Sequence, residues 1–408
     1  MKRSLASINE VIIILVPNVF GFTGDAVNER QLIKYLCKGR KCILFSFIGI
    51  SKLFKLYKFV SEIYEDYYNE NIMLIPIPLI PPHTIFTMLT SVLIAFIIWI
   101  LDNIANVRLI YVRSSLLALG VVSIKNLARK TFVKIPAIVE DETLRWKRIL
   151  SYLYSISDRY ILNRAKAIGA PSPLLMKRLS VRRGVLPKGK VVLVPAGVDE
   201  RKIRPLRETL KAYNVKDQYI IGFLGLLAWW QGVDILVKAV AKIKNLLDKP
   251  VKLLIVGDGP ERGKIETLCK ELKVNCYTTG FVRHENALRY LGIFDVLVIP
   301  RISISTTESN IPIKIIEAWA LGVPVIVTAH EVFKYMSLRD GEDIVLCEPD
   351  PEDVGDKILL VLLNEKLRKK LSERGLLLAR DYYYDRIANK LIKTFRELHN
   401  FKSFNYPV

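Results

Sequence analysis

Short aliphatic and β-branched runs alternate with longer helix-period stretches along almost the whole of this 408-residue chain. No other feature narrows the fold so far. A parallel pair of strands needs a crossover of a dozen or more residues, and a helix is the usual one. In the first half the strand-like runs fall at 11–16, 42–47, 72–77, 109–112, 133–139, 165–169 and 191–194. In the second half they fall at 219–224, 252–256, 275–278, 296–299, 324–327 and 344–347. Helix-period stretches such as 233–247, 262–272 and 310–321 lie between them. The expected class is α/β with parallel sheets. A chain of this length suits two domains, each with its own core. The segment 199–216 is charged and carries Pro205, so it reads as the linker, giving domains of 1–205 and 206–408.

Charge separates the two halves. Residues 1–205 hold 31 Lys and Arg against 14 Asp and Glu, a net of +17, while the rest hold 30 against 26, a net of +4. Within 145–190 twelve basic residues face one acid, Asp158. A basic field of this kind attracts anionic lipid, nucleic acid or a phosphorylated substrate; the plainer alternative is a solvated surface. No nucleic-acid motif accompanies it, so a specific nucleic-acid partner is not expected. The stretch 72–101 contains no Asp, Glu, Lys or Arg, and 85–101 is a 17-residue apolar run. That length is at the lower edge of a membrane span. Its place between two strands favours instead a helix of the first domain, partly buried and touching a membrane interface. The early run 11–16 is read as a strand rather than a signal peptide, because no small-residue cleavage site follows it. Cys37, Cys42, Cys269, Cys276 and Cys347 form no CxxC pair and read as reduced, intracellular thiols.

The densest chemistry lies at 300–327, PRISISTTESNIPIKIIEAWALGVPVIV. A strand ends near Pro300, polar residues follow, and a helix is expected to begin at Ser309 or Asn310 with Pro312 in its first turn. A helix start at a sheet's carboxyl edge is a natural seat for phosphate. Lys314 and Glu317, three apart, share one face. The lysine is suited to neutralising a diphosphate, and the carboxylate to accepting two hydrogen bonds from a ribose diol. An ordinary surface Lys–Glu pair is the bland alternative.

At these residues the chain resembles the retaining GT-B glycosyltransferases of family 4, the glycosyl transferases group 1. Their C-terminal domain carries P-x-K-x-x-E-x-x-A-x-G-x-P-V, matched here by Pro312, Lys314, Glu317, Ala320, Gly322, Pro324 and Val325. The likeness extends to the loop GFLGLLAWWQGVD at 222–234, to VGDG at 256–259, to the turn at 280–282, to the strand at 295–300 and to VPAGVD at 194–199. Upstream, Gly21, Gly24 and Asp25 stand where the family has its acceptor-side loop. The resemblance implies two Rossmann-like domains facing a cleft, with the C-terminal helix crossing back to the first. It also implies a nucleotide-sugar donor held by Gly225, Gln231, Gly257, Phe281, Val282, Arg283, Arg301, Ser309, Asn310 and Glu317.

The departures shape the expected chemistry. Where many members have Arg and Lys in the loop after the first strand, this chain has Leu226 and Gln231, so Lys314 and Arg301 are left to meet the phosphate charge. The family's first carboxylate would fall at Ser309, and Glu308 is one residue out of register. No histidine follows the fifth strand; Glu140 or Asp141 faces the reaction centre there or is a strand-end acid. Glu140, Asp141, Glu308 and Lys314 are the catalytic candidates. No D-x-D triplet occurs, and His83, His284, His330 and His399 are far apart, so neither a bridging metal nor a zinc site is expected, and no cofactor beyond the co-substrate. The segment 257–264, GDGPERGK, has the wrong spacing for a P-loop.

The implied activity is retaining, metal-independent sugar transfer to a glycan or lipid-linked acceptor. It would take place in the cytoplasm at the inner face of the cell membrane, with peripheral contact through 85–101 and 145–190. A catalytically degenerate binding protein and a nucleotide-sugar epimerase are the alternatives.

Overall fold

The computed structural model describes residues 10–17, 19, 24–49, 71–80, 83–138, 148–211 and 217–400. The chain divides into two compact units, Met1–Pro195 with Tyr384–Val408, and Ala196–Tyr383.

The first unit is built on seven strands: β1 Glu10–Val16, β2 Lys41–Gly49, β3 Ile72–Leu79, β4 Asn106–Arg113, β5 Thr131–Lys134, β6 Ala167–Ala170 and β7 Lys190–Leu193. They pair in the order β3-β2-β1-β4-β5-β6-β7, every pairing parallel. Buried on both faces, the central strands are near-continuous Val, Ile and Leu, as such sheets require. Pro76 and Pro78 fall on β3, the edge strand, where a missing N–H costs no ladder bond. One face packs on the helices His83–Ile104, Ser115–Ser123, Arg148–Arg164 and Pro173–Arg183. The other packs on Gly24–Cys37 and Tyr384–Asn400. The C-terminal helix thus belongs to the first unit: Phe395 meets Phe132 edge-on at 5.4 Å, and the Tyr384 hydroxyl donates to Asn28 Oδ1 at 3.0 Å.

The second unit has six parallel strands: β8 Tyr219–Leu224, β9 Val251–Val256, β10 Cys276–Thr278, β11 Val296–Ile299, β12 Val325–Thr328 and β13 Val345–Cys347, in the order β10-β9-β8-β11-β12-β13. Thirteen expected strands are present, and both units are Rossmann-like.

Three expectations change. The boundary falls at 195/196 rather than 205/206, and the second domain ends at Tyr383. The supposed linker is largely the helix Glu200–Lys211, which Asp199 starts by accepting the Arg201 N–H at 3.0 Å, with Ile203 buried beneath it. Charge and a proline obscured an amphipathic helix. Finally, Cys37 and Cys42 are joined in a disulfide, so the reading of five free thiols is corrected. Cys37 ends a helix and Cys42 lies at the start of β2; the tight turn between them sets their Cα atoms 5.9 Å apart, within disulfide reach.

Candidate functional site

In the second unit the strand order reverses between β8 and β11, and ligands of open α/β sheets bind outside the carboxyl ends of the strands at such a point. Gly225 leaves β8 with φ +135°, and a Cβ there would lie 2.9 Å from Lys314 Nζ. Gly257 leaves β9 with φ +147°, and a Cβ there would lie 1.9 Å from the Gly225 carbonyl. Only glycine allows these two loops and the lysine to share the edge.

Two cations meet there. Lys314 is buried, its Nζ donating to Gln231 Oε1 at 3.1 Å and lying 4.3 Å from the centre of the Phe223 ring. Arg301, two residues beyond β11, donates from Nε to the same Gln231 oxygen at 3.1 Å and stacks on Trp230 at 5.3 Å. Among the described residues neither has an ion-pair partner. Burial pushes Arg301 down to about 10. Burial, and then the Arg301 charge, hold Lys314 well below the usual lysine value, against the opposing pull of Glu317. Leaving buried charge this poorly compensated costs about 3–5 kcal/mol, only partly offset by the aromatic faces. The arrangement is suited to an anion.

The expected helix over 310–321 is broken. A short helix, Ser305–Ser309, is followed by Asn310 in extended conformation, and the second helix is Ile313–Leu321 with Pro312 as N-cap. A residue preceding proline is pushed away from the α region, so the chain must leave the helix before Pro312. Neither Ser309 nor Asn310 is therefore the N-cap of the helix that carries Lys314. Lys314 is the second residue of that helix, in the first turn whose leading N–H groups have no partner within it.

Glu317, one turn later and buried, does not pair with Lys314. Its Oε1 lies 2.6 Å from His284 Nε2. Burial alone would lower the His284 pKa, but the hydrogen bond and charge of Glu317 raise it above the ordinary value. Glu308 is likewise engaged: its Oε1 accepts from Ser303 Oγ and lies 3.1 Å from His330 Nδ1, while Oε2 takes the Glu331 N–H at 2.6 Å. Burial alone would raise Glu308, and these hydrogen bonds bring it below the ordinary range. As folded, Glu308 ties the 303–309 segment to the helix Glu331–Tyr335.

The remaining candidates divide. Gly257 bridges to Gly280, which begins the turn of Phe281, Val282 and Arg283. Phe281 is exposed and Arg283 N-caps the helix His284–Leu291, so this turn joins the site through His284. Ser309 is buried, and Asn310 is the extended residue between the two helices. Gly24 and Asp25 open the helix Gly24–Cys37 of the first unit. Gly21, Glu140 and Asp141 lie outside the described residues. Sequence reasoning missed His284, His330, Ser303 and Trp230; their partners are 5 to 71 positions away, beyond any local spacing rule.

Residues 207–377 match the family model described as glycosyl transferases group 1. N-acetyl-alpha-D-glucosaminyl L-malate synthase of Bacillus anthracis is 28% identical over 212 residues, 51% of this chain and 52% of that protein. The lipopolysaccharide core biosynthesis glycosyltransferase LpsE of Rhizobium meliloti is 28% identical over 160 residues, 39% of this chain and 44% of its own. The chain thus spans about half the length of the curated relatives it matches. Among solved structures, Anabaena HepE in complex with UDP and glucose superposes with a TM-score of 0.68 at 14% identity, covering 95% of this chain and 99% of that one. That likeness shows the fold. Over residues 207–377 the chain is thus similar to the glycosyl transferases group 1 family, with Gly225 and Lys314 of the matched region meeting at the sheet's carboxyl edge.

Proposed function

We propose that this chain transfers a sugar from a nucleotide-sugar donor to an acceptor at a membrane surface, with retention and without a metal. The observation that carries the reading is the pair of cations, buried Lys314 and half-buried Arg301, sharing one amide oxygen at the switch point. A donor's diphosphate supplies the missing negative charge, and the same two groups stabilise it as it departs, which is electrostatic catalysis by prepositioned charge. Glu317 takes the ribose diol. The incoming hydroxyl gives its proton to the departing diphosphate on the same face of the sugar. The complex of HepE with UDP and glucose supports a uridine donor among those to be tried.

The membrane side of the proposal rests on the helix His83–Ile104, whose segment Phe86–Ile104 is long and apolar enough to cross a bilayer. Apolar residues cover its outward side as well as its packed one. Thr90, Ser91, Ala95 and Ile98 face the protein, while Leu89, Val92, Leu93, Phe96, Trp99 and Ile104 are exposed, Leu93 by 66%. Ser91 sits so close to the next helix that a Cβ at Gly120 would lie 2.3 Å from its carbonyl oxygen. A helix packed this tightly along one side lies on a membrane rather than through it. On the same face of the sheet, Arg159, Arg164, Lys177 and Arg182 reach solvent, suiting anionic lipid on the cytoplasmic leaflet.

Purified protein, a membrane lipid extract and labelled UDP-, GDP- and ADP-sugars test the proposal. Label should enter the organic phase with one donor and not with Glu317→Ala. If no donor is consumed or bound, the degenerate binding protein replaces the enzyme. Leu93→Asp with Phe96→Asp should abolish sedimentation with phosphatidylglycerol vesicles while leaving the melting temperature unchanged. Undiminished sedimentation would remove the helix from the proposal.

A further inference from the structure

The carboxylate given above to the donor's ribose already has a protein partner, and that partner decides what the neighbouring lysine is free to do. Lys314 and Glu317 stand three apart on one helix face, the spacing at which a lysine and a glutamate ordinarily pair. Both are buried, which strengthens the attraction. They nevertheless point to different partners, Lys314 to Gln231 and Glu317 to His284. Among the described residues Glu317 has no other hydrogen-bond partner, so Oε2 is left for an incoming donor.

His284 is an unexpected residue for its place. It opens the helix His284–Leu291, where the dipole disfavours a cation, and Lys202 on the helix Glu200–Lys211 adds to the repulsion. Glu285, on the histidine's own helix and paired with Lys202 at 3.2 Å, acts in the other sense, as does Glu317. Burial works most strongly against the imidazolium, and the hydrogen bond and charge of Glu317 are the main groups that raise the His284 value in spite of it. The imidazole is 40% exposed and open to solvent protons, whereas the carboxylate it grips is only 4% exposed.

We propose that His284 is a positioning residue that draws Glu317 away from Lys314, keeping the carboxylate aimed at the ribose and the ammonium available to the diphosphate. The inference rests on the donor-site reading above. It makes donor affinity depend on the charge of His284. While the imidazolium is present, the His284–Glu317 pair is neutral. Once it deprotonates, the pair carries a net negative charge beside the diphosphate, and donor binding weakens as pH rises through the raised His284 value.

The experiment is calorimetric titration of the full chain with UDP, GDP and ADP between pH 6 and 9, for wild type, His284→Ala, His284→Gln and Glu317→Ala. A glutamine amide at 284 keeps a donor for Glu317 without a titrating charge. The expected result with the nucleotide that binds is five- to tenfold weaker affinity in His284→Ala and recovery to within twofold in His284→Gln. In turnover, His284→Ala should raise the donor KM and leave kcat unchanged. The wild-type pH dependence should be flatter in His284→Gln, with what remains belonging to Lys314. Affinity within twofold of wild type in His284→Ala, or superimposable pH profiles for wild type and His284→Gln, overturns the proposal. Glu317→Ala separates the levels. If it loses binding while His284→Ala does not, only the histidine's role falls; if it too binds normally, or no nucleotide binds wild type, the donor-site reading falls with it.

Discussion

Each unit gathers two cations at the carboxyl ends of its strands, near the point where strand order reverses, and the two pairs are treated differently. In the first unit Arg113 ends β4 and Lys134 ends β5, and buried Glu29 serves both: its Oε2 lies 3.3 Å from Arg113 Nε and 2.9 Å from Lys134 Nζ, while Oε1 accepts the Tyr111 hydroxyl at 2.5 Å. In the second unit, among the described residues, Arg301 and Lys314 share only the Gln231 amide oxygen. The difference lies in the bridging group, a carboxylate in one case and a neutral amide in the other. The first cluster has a carboxylate of its own, which offsets one of its two positive charges. The second is left short of negative charge, and a nucleotide diphosphate would make up the shortfall.

The largest effect that tests this contrast is in the first unit. Removing one member of a buried ion cluster leaves its partners uncompensated and costs about 3–5 kcal/mol. Glu29→Gln should therefore lower stability by that amount in a urea titration, with nucleotide affinity in the surviving folded protein unchanged. A loss below about 1 kcal/mol would mean Glu29 is not what balances Arg113 and Lys134.

The matching change in the second unit should have the opposite sign. Lys314→Met removes a buried charge with no carboxylate partner, so stability should hold or rise by about 1 kcal/mol. Nucleoside diphosphate affinity should fall about 100-fold, near 2.7 kcal/mol. The pH dependence follows from the lowered Lys314 value. A lysine whose folded pKa lies below its unfolded value near 10.5 binds fewer protons when folded in the window between them, so stability climbs as pH rises through that window. Diphosphate binding needs the ammonium and declines over the same range. Parallel trends in melting temperature and affinity would refute the assignment of Lys314 as the phosphate cation.

How much of this was readable in the chain depends on range. The thirteen strands were legible because parallel sheets demand continuous apolar runs, and Lys314 and Glu317 because their spacing is local. His284, Trp230 and His330 were not, because they reach the site through the sheet's strand order rather than through neighbours in sequence. The segment 199–216 was misread for a related reason: charged and carrying Pro205, it looked like a linker, and only the Arg201 N–H capped by Asp199 shows the helix that starts there. The outward apolar side of His83–Ile104 was half legible. Its apolarity showed in the sequence, but which face carried Ser91 against Gly120 did not.

A middle-sized test exchanges the solution used here for the one the wider family uses. Gln231→Lys alone places a third cation beside Arg301 and Lys314, and like charges in a buried site should cost about 1–3 kcal/mol of stability. Adding Arg301→Ser should recover most of that loss and keep diphosphate affinity near wild type, because two cations again face the site. The double-mutant cycle measures the coupling directly. Additive losses would mean that Gln231 and Arg301 do not share the role their common hydrogen bond suggests.

The smallest expected effect concerns Leu226, which follows Gly225 and is 53% exposed at the same edge. A large apolar side chain facing water beside the proposed diphosphate site contributes no charge, and the family resemblance implies an arginine at that place. Leu226→Arg should tighten nucleoside diphosphate binding about two- to fivefold, roughly 0.4–1 kcal/mol, as expected for a solvent-screened charge. The gain should shrink as salt is raised from 50 to 500 mM, and the melting temperature should stay where it is. A gain insensitive to salt would mean that the arginine packs rather than attracts. No gain would mean that Lys314 and Arg301 already meet the whole charge of the proposed diphosphate, as Glu29 alone answers both cations of the first unit.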